Sequence, residues 1–201
     1  MIKRSRLVLA LSTLAVGAAA SMSVVLPAPA AQPPSKDCIL DVSTGAQQCF
    51  GDFRAAMRFA TGGAVTDAPL SAREAVTDQR FRAQIDAVSL AAGEKVAPRS
   101  GSPSQREAAG VIGATLYTGT GFSGQSETLM IPRPCVKDGK YDYGFELGTI
   151  GRAAESVEPW ANCWVWLHSG DTWDSPRQGP FKEDTSDLGD WKGRAVLMAL
   201  S

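Results

Sequence analysis

The nine residues Leu116-Tyr-Thr-Gly-Thr-Gly-Phe-Ser-Gly124 decide how this chain folds, because aromatics and glycines recur there at a spacing that sidedness alone does not require. Ahead of them Ile112, Ala114 and Leu116 alternate with Gly113, Thr115 and Tyr117, the period of a strand with one buried face. Gly119 and Gly121 mark a sharp fold-back. Phe122 is placed to stack on Tyr117 across that fold, and Gly124 suits a backbone position at positive φ, where a Cβ would clash. The stretch reads as a folded hairpin closed by an aromatic pair.

A second copy begins after Cys163. The run Trp164-Val-Trp-Leu-His168 alternates in phase with the first strand, placing Val165 and Leu167 on one face and Trp164, Trp166 and His168 on the other. His168, four residues, Trp173, one residue, Ser175 superposes on Tyr117, four residues, Phe122, one residue, Gly124. His replaces an aromatic and Ser replaces a glycine, so this copy is degenerate.

The pattern of aromatic, four residues, aromatic, one residue, glycine resembles the hairpin signature of the βγ-crystallin superfamily, whose domains pair two Greek-key motifs. The resemblance implies an all-β C-terminal domain over 111–201, built as a β-sandwich of two four-stranded Greek keys. Each hairpin should be followed by two more strands and a serine-bearing loop. After the first come 127–131 and, beyond a loop over 135–145, 154–158; after the second come 179–181 and 194–200. Ser156 takes the place of the family's serine.

The start of the chain reads as an export signal. Lys3, Arg4 and Arg6 precede an apolar run over 7–20, and small residues follow around Ala28-Pro29-Ala30, so residues 1–30 are expected to be a signal peptide and the protein to be secreted. The run is broken by Ser12, Thr13 and Gly17 and is too short for a membrane span. Removing those three cations from the 20 basic residues leaves 17 against 21 acidic, a net charge of −4, and no basic patch points to nucleic acid. Cys38, Cys49, Cys135 and Cys163 make an even set in an exported chain, which favours disulfides over metal ligation. Three pairings are open; Cys38 with Cys49 and Cys135 with Cys163 is preferred because each bond then staples one region. In the chain-entropy picture a loop of about a dozen residues closed this way gains roughly 3 kcal/mol.

Residues 31–92 form a small, mostly helical accessory region. Cys38-Ile-Leu-Asp-Val, a turn at Ser43-Thr-Gly45 and Gln47-Gln-Cys-Phe50 read as a hairpin. Asp52 caps a helix with Phe53, Ala56, Met57 and Ala60 on one face, ended by Thr61-Gly-Gly63. Ser71-Ala-Arg-Glu74 has the form of a capping box opening a second helix, in which Phe81, Ile85 and Val88 make the apolar stripe and which Gly93 stops. Such a core is thin, so the region either leans on the C-terminal domain or is loosely folded. Residues 93–110, rich in Pro, Ser, Gly and charge, read as a flexible linker.

Many microbial members of the resembled superfamily bind calcium through paired Asn/Asp residues and a Ser/Thr-Ser step. Carried over, that stretch falls on Gly151-Arg152-Ala153-Ala154-Glu155-Ser156, where only Ser156 fits; around 191–195 a Lys, a Gly and an Arg replace the expected ligands. No cofactor and no tight calcium site are expected, and Asp184, Asp187 and Asp190 read as a solvated acidic loop. Catalysis is not expected either. His168 is the only histidine and has a place in the hairpin, the cysteines are wanted for disulfides, and nothing fixes the separation of a carboxylate pair such as Glu155 and Glu158. Trp160, Trp164, Trp166, Trp173 and Trp191 crowd the last quarter of the chain, and Trp164 with Trp166 form the candidate binding face. Three functions remain in order: a secreted binding protein resembling the metalloproteinase inhibitors of the superfamily, with an extracellular protease as partner; a glycan-binding module using the Trp face; and an enzyme of unrecognised type.

Overall fold

A computed structural model describes residues 36–94 and 110–201. The signal peptide expected at 1–30 and most of the linker expected at 93–110 lie outside the described residues.

The first elements follow local rules. Strands β1 (Asp37–Asp41) and β2 (Gln47–Phe50) pair antiparallel with Cys38 opposite Cys49, and a disulfide joins the two cysteines. Helix α1 (Phe53–Ala60) starts where the Asp52 carboxylate accepts a 2.8 Å hydrogen bond from the Ala55 amide, and it ends at Thr61, with Gly62 and Gly63 at φ 58° and 81°. The helix expected from Ser71 onward is two helices, α2 (Ala72–Thr77) and α3 (Gln79–Glu94). Asp78 causes the break. Its extended backbone lets one carboxylate oxygen accept from the amides of Arg80 and Phe81, both at 3.0 Å, so it caps a new helix instead of continuing the old one.

The remaining chain runs β3 (Val111–Gly119), β4 (Ser123–Ile131), β5 (Tyr143–Glu146), the short helix α4 (Thr149–Arg152), β6 (Ser156–Pro159), β7 (Val165–His168), β8 (Arg177–Phe181), a single helical turn at Gly189–Trp191 and β9 (Leu197–Leu200). Two sheets result, ordered β2-β1-β4-β3-β6 and β5-β9-β7-β8. Strands β3, β4 and β6 belong to the first motif, but its third strand β5 pairs with β9 in the second sheet. Thr185, in the corresponding place of the second motif, reciprocates by bridging Val157 on β6. The first motif thus lends its third strand to the second sheet, and the second motif returns a single bridge.

The two motifs agree residue by residue. Tyr117 lies opposite Ser156 and Leu116 opposite Val157; His168 lies opposite Leu197 and Leu167 opposite Met198. Leu116, Val157, Leu167 and Met198 fill the space between the sheets with Leu129, Val165 and Leu200, all inaccessible to solvent. The Cys135–Cys163 disulfide ties the loop before β5 to the start of β7.

Three expectations are corrected. The segment read as a loop over 135–145 contains the start of β5, which pairs with a strand more than fifty residues later rather than with a neighbour. Strands β6 and β9 are shorter than expected, beginning at Ser156 and Leu197. A register shift separates Ile112 from Ala114. A Cβ on Gly113 would come within 2.8 Å of Leu200 and 2.9 Å of Ile131, so this glycine faces the inter-sheet core and Ile112 is turned toward the helices.

The N-terminal region shares a core with the sandwich. Strand β1 adds parallel to β4, with Cys38 beside Glu127, and covers what would be an open sheet edge. Helices α1 to α3 cover the outer face of this first sheet. Phe53 meets Phe81 edge-on at 5.7 Å, and Phe81 meets Trp160 edge-on at 6.2 Å. Each such buried side chain contributes about 1.5–3 kcal/mol, more than the helices could gather alone. Strand β3 is consequently buried on both faces from Val111 to Tyr117, not on one. Among the described residues no helix is long and apolar enough to cross a membrane.

Candidate functional site

The hairpins position the site. In the first, the rings of Tyr117 and Phe122 meet edge-on at 5.5 Å, and Gly121, Phe122 and Gly124 all have positive φ. Buried Ser156 reaches across from β6, its hydroxyl donating to the Gly119 carbonyl at 2.7 Å and accepting from the Phe122 amide at 3.1 Å. The second hairpin repeats this with changed parts. His168 and Trp173 meet edge-on at 5.2 Å, and the hydroxyl of Ser175 accepts from the Gly170 amide at 3.2 Å and donates to the Thr172 carbonyl at 2.7 Å. Leu197 stands in the register position of Ser156, so the second fold-back is tied from within.

Two tied hairpins on two sheets joined by the crossing of β5 to β9 and the Val157–Thr185 bridge define the architecture. The fold is βγ-crystallin-like. Solved structures similar to this chain include a βγ-crystallin domain from Clostridium beijerinckii, at 15% identity over 44% of this chain and 95% of that one with a TM-score of 0.34. The N-terminal domain of protein S matches at 14% identity over 44% and 94% with a TM-score of 0.35, and Hahellin, a βγ-crystallin, at 16% over 45% and 91% with a TM-score of 0.33. No protein-family model matches the sequence, and no curated protein matches it.

The two outer faces of this crystallin-like domain differ. On the first sheet, Ile112, Tyr117 and Trp160 lie under the helices. On the second, Trp164, just before β7, and Trp166 and His168 on it lie on the outer side, because Val165 and Leu167 face the core; the two indoles are half-buried and His168 is fully covered. Two further aromatics gather there. Tyr141 lies 5.9 Å from Trp166, 5.9 Å from His168 and 6.2 Å from Trp173. Trp173 rests against the backbone of Gly144 on β5, where a Cβ would come within 2.7 Å of the indole. Trp173 is 46% exposed and Tyr141 37%, which makes them the accessible members of the cluster.

Cations overlie the same face. The Arg177 guanidinium sits 4.7 Å above the Trp166 ring and donates to the Tyr141 hydroxyl. Lys137 and Lys182 approach the Trp164 ring at 4.9 and 4.1 Å. Tyr141, already accepting from Arg177, has its hydroxyl 3.3 Å from Nε2 of buried His168 and is free to donate to it. Burial, then the charge of Arg177, holds the imidazole below its usual pKa, so it is neutral at pH 7.

Several expected residues fall elsewhere. Trp164 and Trp166 face outward but are half-buried beneath the cations and Tyr141, so the accessible face extends to Trp173 and Tyr141 instead of resting on those two alone. Trp160 is buried against Phe81, and Trp191 packs on the inter-sheet core. In the stretch carried over from calcium-binding relatives, Arg152 pairs with Glu146 at 2.5 Å and donates to the Leu147 carbonyl at 2.9 Å, while Ser156 is engaged by the hairpin. Asp184 pairs with Arg82 and Asp187 with Lys192. Tyr141, Arg177, Lys137 and Lys182 carry no motif, and sequence reading missed them. Their one signal is position, beside Cys135 and after the second hairpin.

Two buried carboxylates are structural. Glu158, on β6, accepts 2.5 Å from the Tyr117 hydroxyl and pairs with Arg82 of α3, which also reaches Asp184 at 2.9 Å. Burial dominates and raises its pKa to about 7, with the Asp184 charge adding to this while the Tyr117 and Arg82 contacts oppose it. Glu127 accepts from Gln47 at 2.7 Å and is likewise raised to about 7, chiefly by burial. Glu158 lies under α3, its carboxylate engaged by Tyr117 and Arg82.

Proposed function

We propose that this protein is a secreted, non-catalytic glycan-binding protein that holds its ligand on the outer face of the second sheet. One observation carries the reading. Tyr141, Trp166 and Trp173 form a contiguous aromatic cluster whose outer members remain open to solvent, on the sheet face the helices leave uncovered. Pyranose rings present flat patches of C–H groups that stack on such surfaces, and exposed clustered aromatics mark contact sites. Two disulfides support an oxidising, extracellular setting. The buried, neutral His168 acts as a support for Tyr141 and Trp173 rather than as a base.

Sedimentation of the protein with insoluble glycans tests this, comparing wild type with Trp173→Ala and Tyr141→Ala. Loss of binding in both variants, with unchanged circular dichroism, is the expected result. A panel of thermolysin-like proteases belongs in the same experiment. Inhibition of a protease, with no glycan retained by the wild type, would replace this reading with the peptidase-inhibitor one.

A further inference from the structure

Lys137 and Lys182 both sit on one indole, and no carboxylate pairs with either among the described residues. Their ammonium groups lie 4.9 and 4.1 Å from the same ring centroid, which holds them at a separation comparable to the Debye length of about 8 Å at physiological salt. Like charges held this close repel unless an anion lies between them. Beside them opens a polar cavity of about 160 Å³ lined by Arg82, Asp86, Trp160 and Asn162 as well as both lysines. Arg82 is already committed to Glu158 and Asp184, so the lysines supply the unneutralised charge, with Asp86 the single opposing carboxylate in the lining. Two residues after Trp164, Trp166 lies beneath Arg177 of β8, which pairs with no carboxylate among the described residues.

We infer that the ligand is an acidic polysaccharide, whose carboxylate or sulfate groups sit at the Lys137–Lys182 pair over Trp164 while its sugar rings continue along Trp166, Tyr141 and Trp173. This rests on the glycan-binding reading above and adds the charge of the ligand. The polarity of the site has a direction. Asp171 and Asp174 flank Trp173 at the hairpin tip, so acidic groups are favoured at the Trp164 end and neutral rings at the Trp173 end. An acidic peptide would satisfy the lysines but leaves the aromatic row unused.

Backbone-matched polymers separate the possibilities. Binding of the full chain is measured for dextran sulfate against dextran and for polygalacturonate against its methyl ester, with polyglutamate as the peptide control. Wild type and a Lys137→Gln, Lys182→Gln double variant are compared; both side chains are exposed, so the fold is retained. The charged member of a pair should bind about tenfold more tightly than its neutral partner, and the double variant should erase that difference, as loss of two charge-assisted contacts requires. Sulfate and carboxylate polymers show which acidic group is preferred. Equal binding of charged and neutral polymers overturns the inference and leaves the glycan reading standing. No binding to either charged polysaccharide also overturns the inference, and lysine-dependent binding of polyglutamate alone, with no insoluble glycan retained, overturns both.

Discussion

The Tyr117 hydroxyl donates a 2.5 Å hydrogen bond to the carboxylate of Glu158, a residue with no solvent exposure. The same tyrosine closes the first hairpin against Phe122, and the same glutamate is the point at which Arg82 of α3 grips the sheet. One contact thus couples the hairpin, β6 and the helical layer. Tyr117→Phe removes the donor and leaves part of the buried carboxylate unsatisfied, at a cost of about 1–3 kcal/mol. Arg82→Ala should cost at least as much, because it strands a buried charge. Urea denaturation of the two variants reads both values, and a Tyr117→Phe protein as stable as wild type would remove the contact from the account.

The raised carboxylates predict a pH dependence of definite sign. Glu127 and Glu158 hold a proton more tightly in the folded chain, at about 7, than at their usual value of 4.5. Their stabilising contribution is full below 4.5 and is lost as pH rises toward 7. Asp37, raised by burial, acts in the same direction; His168, lowered by burial, opposes it below its usual 6.5. Glu127→Gln mimics the protonated state. It should therefore stabilise the protein at pH 8 and change little at pH 5, as thermal unfolding at the two pH values will show.

Ser156 and Ser175 tie their hairpins from different places. Ser156 is fully buried and bridges β6 to both sides of the first fold-back, whereas Ser175 sits within the second and is partly exposed. Ser156→Ala should cost about 1–3 kcal/mol and Ser175→Ala less. Amide exchange at Phe122 should also accelerate in the Ser156 variant, since its amide loses its acceptor.

Gly144 seats Trp173. A methyl group there would come within 2.7 Å of the indole, so Gly144→Ala must displace the ring. The variant should keep its secondary structure, shift its tryptophan emission, and bind glycan more weakly than wild type. Unaltered binding would mean that the position of Trp173 is immaterial.

Much of this arrangement was legible in the residues. Tyr117, Phe122 and Gly124 announced the first hairpin because a folded hairpin makes demands that are local. The His168, Trp173 and Ser175 copy could be read through its spacing even after two substitutions. What escaped was set by partners distant in the chain. Tyr143 and Phe145 alternate with Gly144 and Glu146 as a strand should, but four residues after a loop gave no sign that β9 would receive them. The parallel pairing of β1 with β4 is equally invisible locally. Alternation along β7 placed Trp164 and Trp166 outward, yet it could not show that Lys137, Lys182 and Arg177 would cover them while Trp173 and Tyr141 stayed open.

The binding face is tested most directly by the indole N–H resonances of the five tryptophans, followed by NMR as a glycan retained in the sedimentation assay is added in soluble form. Shifts are expected at Trp166 and Trp173, with Trp191, which packs against the inter-sheet core away from this face, unmoved. Shifts confined to Trp160 or Trp191, or saturable binding that moves none of the five, would contradict that expectation.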